Sequence, residues 1–330
     1  MKKIISFMVC LSLMTLTGCD SGDADSSNDV IVLKLADTLT ESYPATAGAA
    51  EFARLVDERS DGRIQIVLYT GGQLGGDEQA VIEQVQFAGI DMARVNISPM
   101  AEFSPVLNLL QMPFVFSDTE HMHAVIDSEI GEQLLNSVEN SGFVGLALYE
   151  AGTRNIYNSV RPVTSIDDLQ GLKLRIPQNQ LMIDMIEALG AVATPLSISE
   201  VYSALQTGMV DGAENNLPSY EQMSHYEVAP YITLDAHTAP PEILIFSKIV
   251  NDKLSEEDQE LIKQAAQDSV IYQRQVFEET EAASMATVIA GGSEVYEITD
   301  REAFEAAVAP LYEVYAADYL DILEEIQAMK

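Results

Sequence analysis

Beyond residue 29 the chain alternates short apolar runs with longer amphipathic ones. Val30–Ala36 is apolar apart from Lys34, the pattern of a strand buried on both faces. Pro44 suits the first turn of a helix, and Ala45, Ala49, Phe52, Ala53 and Val56 then recur on one face at helical spacing. Gly62 closes that unit. Arg63–Tyr69 predicts a second strand, a glycine-rich loop over 71–76 leads into a helix marked by Ala80, Val81, Gln84, Val85 and Ala88, and Met92–Ile97 predicts a third strand. Strands separated by helices of this length predict a three-layer α/β domain with a largely parallel sheet.

The pattern then repeats. Val144–Leu148 and Ile156 predict strands near a crossing between domains, and Leu172–Ile176 predicts a strand stopped by Pro177. Leu181–Leu189 reads as a helix capped by Gly190, and Glu200–Thr207 as another closed by Gly208. Ser255 before Glu256, Glu257 and Asp258 is a helix start with a capping side chain, and neither proline nor glycine follows until after Ala290. At about 1.5 Å per residue such a helix spans roughly 50 Å, longer than one small domain is wide, so it is expected to cross two lobes. Its apolar positions keep no clean heptad, which argues against a coiled coil.

The first residues bear on compartment. Lys2 and Lys3 precede an apolar run, Ile4–Leu16, too short for a membrane span, which is the pattern of a signal peptide over 1–18. Its end, Leu16-Thr17-Gly18-Cys19, resembles the bacterial lipobox and makes Cys19 the expected lipidation site; an ordinary leader with an incidental cysteine is the alternative. Residues 19–29 are Ser- and Asp-rich, a tether unable to form a core. Cys10 leaves with the leader, so the mature chain has one cysteine and no intramolecular disulfide.

Charge excludes one class of partner. The chain has 17 Lys and Arg against 52 Asp and Glu, a formal net charge of −35, and loss of the leader removes two lysines and no acid. Nucleic-acid binding does not fit such a chain; a solvated surface suited to salty surroundings does.

Because cations are scarce, an arginine inside an apolar strand is informative, since burying a charge is costly unless it is paired. Arg175 lies between Leu174 and Ile176, Arg94 between Ala93 and Val95, and Arg154 follows Gly152-Thr153 near the first crossing. A guanidinium offers parallel donors that match a carboxylate and holds its charge at any physiological pH, which suits an anion trap; pairing with internal acids is the alternative for each. Asp211-Gly212-Ala213-Glu214-Asn215-Asn216 reads as a segment too polar to be core, whose amides could bind carboxylate and hydroxyl oxygens, or as a plain turn. Asp77 and Asn96 sit near ends of βα elements, where open α/β sheets bind ligands.

Catalytic and metal sets are thin. His121 and His123 are two apart and share no helix face, and no Cys or Glu-x-x-His completes a metal site. His225 and His237 are isolated and fit structural or rim positions, His237 being kept with the binding candidates. No nucleophile elbow, Walker-type or dinucleotide loop is present, so no cofactor, metal or catalytic role is expected.

Four ordered stretches, Gly72–Gly75, Gly171–Pro177, Glu200–Gly208 and Val210–Asn215, resemble the extracytoplasmic solute receptors of tripartite ATP-independent periplasmic (TRAP) transporters, colinearly from Leu33 to about Tyr315. The resemblance implies a two-lobed, periplasmic-binding-protein-like α/β fold, its lobes joined by hinge strands and a long spanning helix. Lobe I would take 30–151 plus about 240–279, and lobe II 152–239 plus about 280–330 with the C-terminal helices. It implies a receptor, not an enzyme, that closes on a small organic acid and delivers it to separately encoded TRAP membrane subunits. The receptor would be held outside the cytoplasmic membrane by lipid on Cys19. By the same resemblance Arg175 fixes the ligand carboxylate, Arg154 is a second cleft arginine, Asn215 contacts the same group, and Asp77 and Asn96 meet the distal end. Arg94-Val95-Asn96 and Ala213–Tyr220 look like the branch that binds hexuronates such as D-glucuronate or D-galacturonate, with Asn216 adding a polar group where many relatives have proline. Leu39 departs from that branch, which often has histidine there. A dicarboxylate, keto-acid or sialic-acid receptor of the same fold, and a secreted sugar-acid enzyme, are the alternatives.

Overall fold

A computed structural model describes residues 30–330; the leader, Cys19 and the tether lie outside the described residues. The chain runs through β1 (Ile31–Asp37), α1 (Pro44–Arg59), β2 (Ile64–Tyr69), α2 (Glu78–Gln86), β3 (Met92–Asn96), α3 (Ile97–Ala101), α4 (Thr119–Ile126), α5 (Glu129–Asn136) and β4 (Phe143–Tyr149). It continues through β5 (Arg154–Asn158), β6 (Lys173–Ile176), α6 (Gln180–Ala188), β7 (Val192–Pro195), α7 (Val201–Thr207), β8 (Gly212–Asn215), α8 (Leu217–Gln222) and β9 (Tyr231–Thr238). Then follow β10 (Glu242–Ser247), α9 (Lys248–Asn251), the long α10 (Glu256–Ala290), β11 (Glu294–Glu297), α11 (Arg301–Val308), α12 (Pro310–Tyr315) and α13 (Leu320–Ala328).

The strands form two sheets, ordered β2-β1-β3-β10-β4 and β11-β9-β5-β8-β6-β7. The sheets are mixed rather than largely parallel. In the first, β1 pairs in parallel with β2 and β3, whereas β10 runs antiparallel to β3 and β4. In the second, β5 runs antiparallel to β8 and β9 while β6 is parallel to β7 and β8. The cause is the double crossing between sheets: the chain leaves the first through β4 into β5 and returns through β9 into β10, so outgoing and returning strands lie side by side in opposite directions.

Each sheet packs an apolar cluster of its own against the long helix, while a larger cluster holds Val95 and Ile243 of the first sheet together with Leu174 and Ile176 of the second. Leu33, Leu35, Phe52 and Val56 pack with Ile262, Ala265 and Ala266 of α10 in the first; Tyr157, Val201, Ala213, Tyr220 and Ile232 pack with Val288 of α10 in the second. The helix therefore serves both lobes, as its length requires. Around Ala265, Ala266, Ser269 and Gln273 its buried stripe is small or polar, and helix α1 comes close: a Cβ at Gly48 would lie 2.7 Å from Gln273 Cβ. Gln273 accepts from the Glu150 amide (2.9 Å) and donates to the Glu150 carbonyl (2.8 Å), at the first crossing.

The C-terminal segment departs from the expected division. Helices α11 and α12 lie against α6 of the second lobe, but α13 packs on α5 of the first. His121 Nε2 sits 2.7 Å from the Ile326 carbonyl, and Tyr312 Oη donates to the Pro113 carbonyl (2.8 Å). The reason is apolar: Leu323 and Ile326 are buried in the cluster that includes Leu134 and Leu135 of α5. No helix among the described residues is long and apolar enough to cross a membrane.

Gly152, at the crossing, has φ +64°, and a Cβ there would lie 2.5 Å from the Phe277 ring of α10. Both backbone and packing require glycine. A Gly152→Ala variant is expected to lose about 1–3 kcal/mol of stability, read as a lower denaturation midpoint; an unchanged midpoint would show that Phe277 yields freely.

Candidate functional site

Arg175 is placed by strand alternation. Leu174 and Ile176 are fully buried in the apolar core, so the residue between them points to the other face of the sheet. Paired with Thr194 of β7 and Ala213 of β8, it reaches the gap between the lobes. Arg154 opens β5 at the crossing, and Arg94 lies on β3 of the first lobe. Together with Leu39, Glu78, Asn96 and Glu242 of the first lobe, and Pro177, Ile198, Asn215 and Ser219 of the second, these arginines line one interlobar cavity. Its volume is about 30 Å³, room for only one or two water-sized bodies. A ligand of several carbons enters only when the lobes part or the lining gives way.

The three guanidiniums are buried, yet they differ in pairing. Arg94 donates from Nε to Asp37 Oδ2 (3.0 Å), from Nη2 to Asp37 Oδ1, and from Nη1 to Glu242 Oε2 (2.8 Å). Arg154 donates from Nε and Nη2 to the Glu214 carboxylate, from Nη2 to its carbonyl (2.9 Å), and from Nη1 to Asn215 Oδ1 (3.0 Å). Arg175 has no carboxylate partner among the described residues. Its Nε and Nη2 donate to the Leu196 carbonyl at 2.9 and 2.7 Å. Burial, with the charge of Arg154 adding and Glu214 partly offsetting, pushes its pKa down to about 10, so it remains a cation at neutral pH. One buried positive charge thus faces the cavity with Nη1 uncommitted.

The remaining expected residues divide. Asn96 caps α3 through Oδ1 (2.8 Å to Ser98 N) and lines the cavity. Asn215 ends β8, its Oδ1 held by Arg154 and by the Asn216 amide (2.9 Å). Asp77 caps α2 (2.9 Å to Ala80 N) and lies not in the cavity but at an adjoining pocket that Arg175 also lines. Asn216 is outside the lining: it caps α8, and its Nδ2 donates to Tyr43 Oη (2.8 Å) and the Ala151 carbonyl (2.6 Å), tying the lobes together. His237 is also outside, between Asp235 (2.8 Å from Nδ1) and Glu214 (3.3 Å from Nε2). The segment over 211–216, expected to be too polar for the interior, holds the buried strand β8, because Arg154 and His237 neutralise Glu214.

Sequence reasoning missed Glu78 and Glu242. Glu242 is 3% exposed at the start of an otherwise apolar strand, the same signal that flagged the arginines but carried by an acid. Glu78 adjoins Asp77 in the first turn of α2; the cap faces the helix and the next residue faces the cavity. Burial pushes the Glu242 carboxyl up to about 7, with Arg94 opposing and Glu78 and Asp37 adding.

A larger concavity, about 680 Å³, lies between α5 and α10 beside β4. Its two cations are already paired, Arg274 with Asp127 (2.6 Å) and Lys263 with Glu132 (3.6 Å), and none of the three buried arginines reaches it.

Two α/β lobes closed over a buried, arginine-lined cavity define a solute receptor of the periplasmic-binding type. Residues 35–318 match the family described as bacterial extracellular solute-binding protein, family 7, and the chain belongs to that family of TRAP solute-binding proteins. It is 37% identical over 281 residues to a solute-binding protein of Chromohalobacter salexigens, covering 85% of this chain and 83% of that one. A TRAP periplasmic solute-binding protein of Bradyrhizobium sp. in complex with α/β-D-galacturonate is 40% identical, with TM-score 0.88, covering 90% of this chain and 99% of that one. One from Pseudomonas putida F1 with bound D-glucuronate is 36% identical, with TM-score 0.88, covering 90% and 97%.

The Asp235–His237–Glu214 contact gives a pH prediction. Burial lowers the imidazole pKa, but the flanking carboxylates outweigh it and raise it from 6.5 to about 9. The stability that the imidazolium supplies is full below about pH 6.5 and is lost as pH rises through about 9. Denaturation midpoints should fall over that range, and His237→Asn should flatten the fall; an equal slope in both proteins would remove His237 from the account.

Proposed function

We propose that this protein captures a hexuronate or similar sugar acid, of the D-glucuronate or D-galacturonate class, by closing its lobes and hands it to TRAP membrane subunits. The observation that carries this reading is the uncommitted guanidinium of Arg175 in the interlobar cavity. A buried cation without a carboxylate partner calls for an anion, and its planar donors fit a carboxylate. Arg154, with every nitrogen engaged, supplies charge and holds Asn215 in place. Asn96, Asn215, Ser219 and Glu78 offer the donors and acceptors that sugar hydroxyls need when buried. The galacturonate and glucuronate bound to its structural neighbours support the same ligand class. The protein acts as a receptor and not an enzyme, held outside the cytoplasmic membrane by lipid on Cys19.

Opening is required for entry, and the bonds from Asn216 to Tyr43 and Ala151 belong to the closed form. The two lobes divide near 151–152 and 239–240, where the chain crosses between sheets, with α10 as the third connection.

Calorimetry with D-glucuronate, D-galacturonate, succinate and sialic acid tests the reading; tight succinate binding with no response to either uronate overturns it. Arg175→Ala should weaken uronate binding by roughly 2–5 kcal/mol, and Arg175→Lys should restore little of it. Wild-type affinity in the alanine variant would put the carboxylate elsewhere.

A further inference from the structure

The cavity has two unlike walls. On the second lobe Arg154 and Arg175 line the cavity with no carboxylate beside them in the lining; Glu214 lies behind it, pinned by Arg154 and His237. On the first lobe a single cation, Arg94, faces three carboxylates. Asp37 takes two of its nitrogens, Glu242 takes the third, and Glu78 Oε1 stands 3.6 Å from Nη1. All three acids lie in or directly behind the wall: Asp37 is 2% and Glu242 3% exposed, and the Glu78 side chain is 15% exposed. A proton held between Glu78 and Glu242 would still leave two carboxylates to one guanidinium.

The acceptors on this wall are not used up. Glu242 Oε1 accepts from Tyr43 Oη (3.2 Å), and Glu78 Oε1 accepts from Thr38 Oγ1 (3.2 Å) and the Asn96 amide (3.3 Å). Glu78 Oε2 has no hydrogen-bond partner among the described residues. An oxygen in this state takes a hydrogen bond from a hydroxyl and repels another carboxylate.

We propose that this anionic wall makes the receptor selective for acids with a single carboxylate: the end of the ligand opposite Arg175 must bring hydroxyl donors and no second negative charge. The inference rests on the sugar-acid reading and deepens it, because it separates acids that share the same secondary hydroxyls and differ only at the far end. Arg94, one of the three arginines that interrupt an apolar strand, cannot anchor an anion, since its charge is more than cancelled where it stands. Two like charges about 4 Å apart at a partly solvated site repel strongly enough to cost roughly a hundredfold or more in affinity.

The test uses the whole mature protein and four ligands: D-galacturonate, L-galactonate (the same hydroxyl pattern counted from the carboxylate), galactarate and succinate. Galactonate and galactarate are open-chain acids of the same carbon skeleton, one ending in a primary alcohol and the other in a second carboxylate. Calorimetry at pH 8 should show galactonate bound roughly a hundredfold more tightly than galactarate, with succinate not detectably bound. Glu78→Gln and Glu242→Gln should each narrow that ratio by about tenfold. The wild-type ratio decides whether the selectivity exists: galactarate within threefold of galactonate overturns the proposal whatever the variants do. A large wild-type ratio that neither substitution changes removes it from this wall and overturns the assignment. Failure of all three sugar acids to bind overturns the sugar-acid reading instead, and this inference falls with it.

Discussion

Three guanidiniums are buried between two sheets in a chain that carries few cations, and the need to compensate them organises the cleft. An unpaired charge in such a place is costly, and a well-placed partner offsets much of that cost. Arg94 is matched by Asp37 and Glu242, and Arg154 by Glu214. These pairings reach across long stretches of sequence, so they fix which strands stand next to one another as much as the apolar cores do. Arg175 is the exception, satisfied only by the Leu196 carbonyl. The fold supports one incomplete pair, and that incompleteness is where a ligand contributes.

The compensating groups have their own supports. Glu214 is held well below the usual carboxylate range, to about 2, by Arg154 and His237 against the opposing effect of its burial. His237 in turn lies against Asp235, whose other oxygen accepts from the Ile156 amide (2.9 Å). A chain of alternating charges therefore runs from the cavity into the second sheet. His225 shows the contrasting outcome: burial, with the nearby charge of Arg175, lowers its pKa to about 3, and it is a neutral partner of Tyr157 Oη (2.8 Å).

Much of the scaffold was legible in the sequence, because periodicity and punctuation act locally. The helix from Glu256 to Ala290 has a capping serine before it and glycine after it, and the first three strands and two helices announced themselves through apolar runs and helical spacing. Strand β8 was illegible for a definite reason. Its Glu214 is buried only because Arg154 and His237, 60 and 23 residues away, neutralise it, and no local pattern encodes that. Among the cavity-lining residues, Arg175 was legible as a rare cation interrupting an apolar strand. The site was misjudged where an amide serves the backbone, as Asn216 does, and overlooked where the informative residue was one acid among 52 acidic residues, as with Glu242.

Gln273 offers a last point about how the pieces are joined. Strand β4 is the outer strand of its sheet, and the peptide of Glu150 just beyond it would have no neighbour to complete the ladder. The side-chain amide of Gln273 accepts from the N–H of Glu150 and donates to its C=O, as an adjoining strand would. One side chain on a helix thus stands in for a missing strand, and it does so where the sheet would otherwise offer a raw edge to another chain.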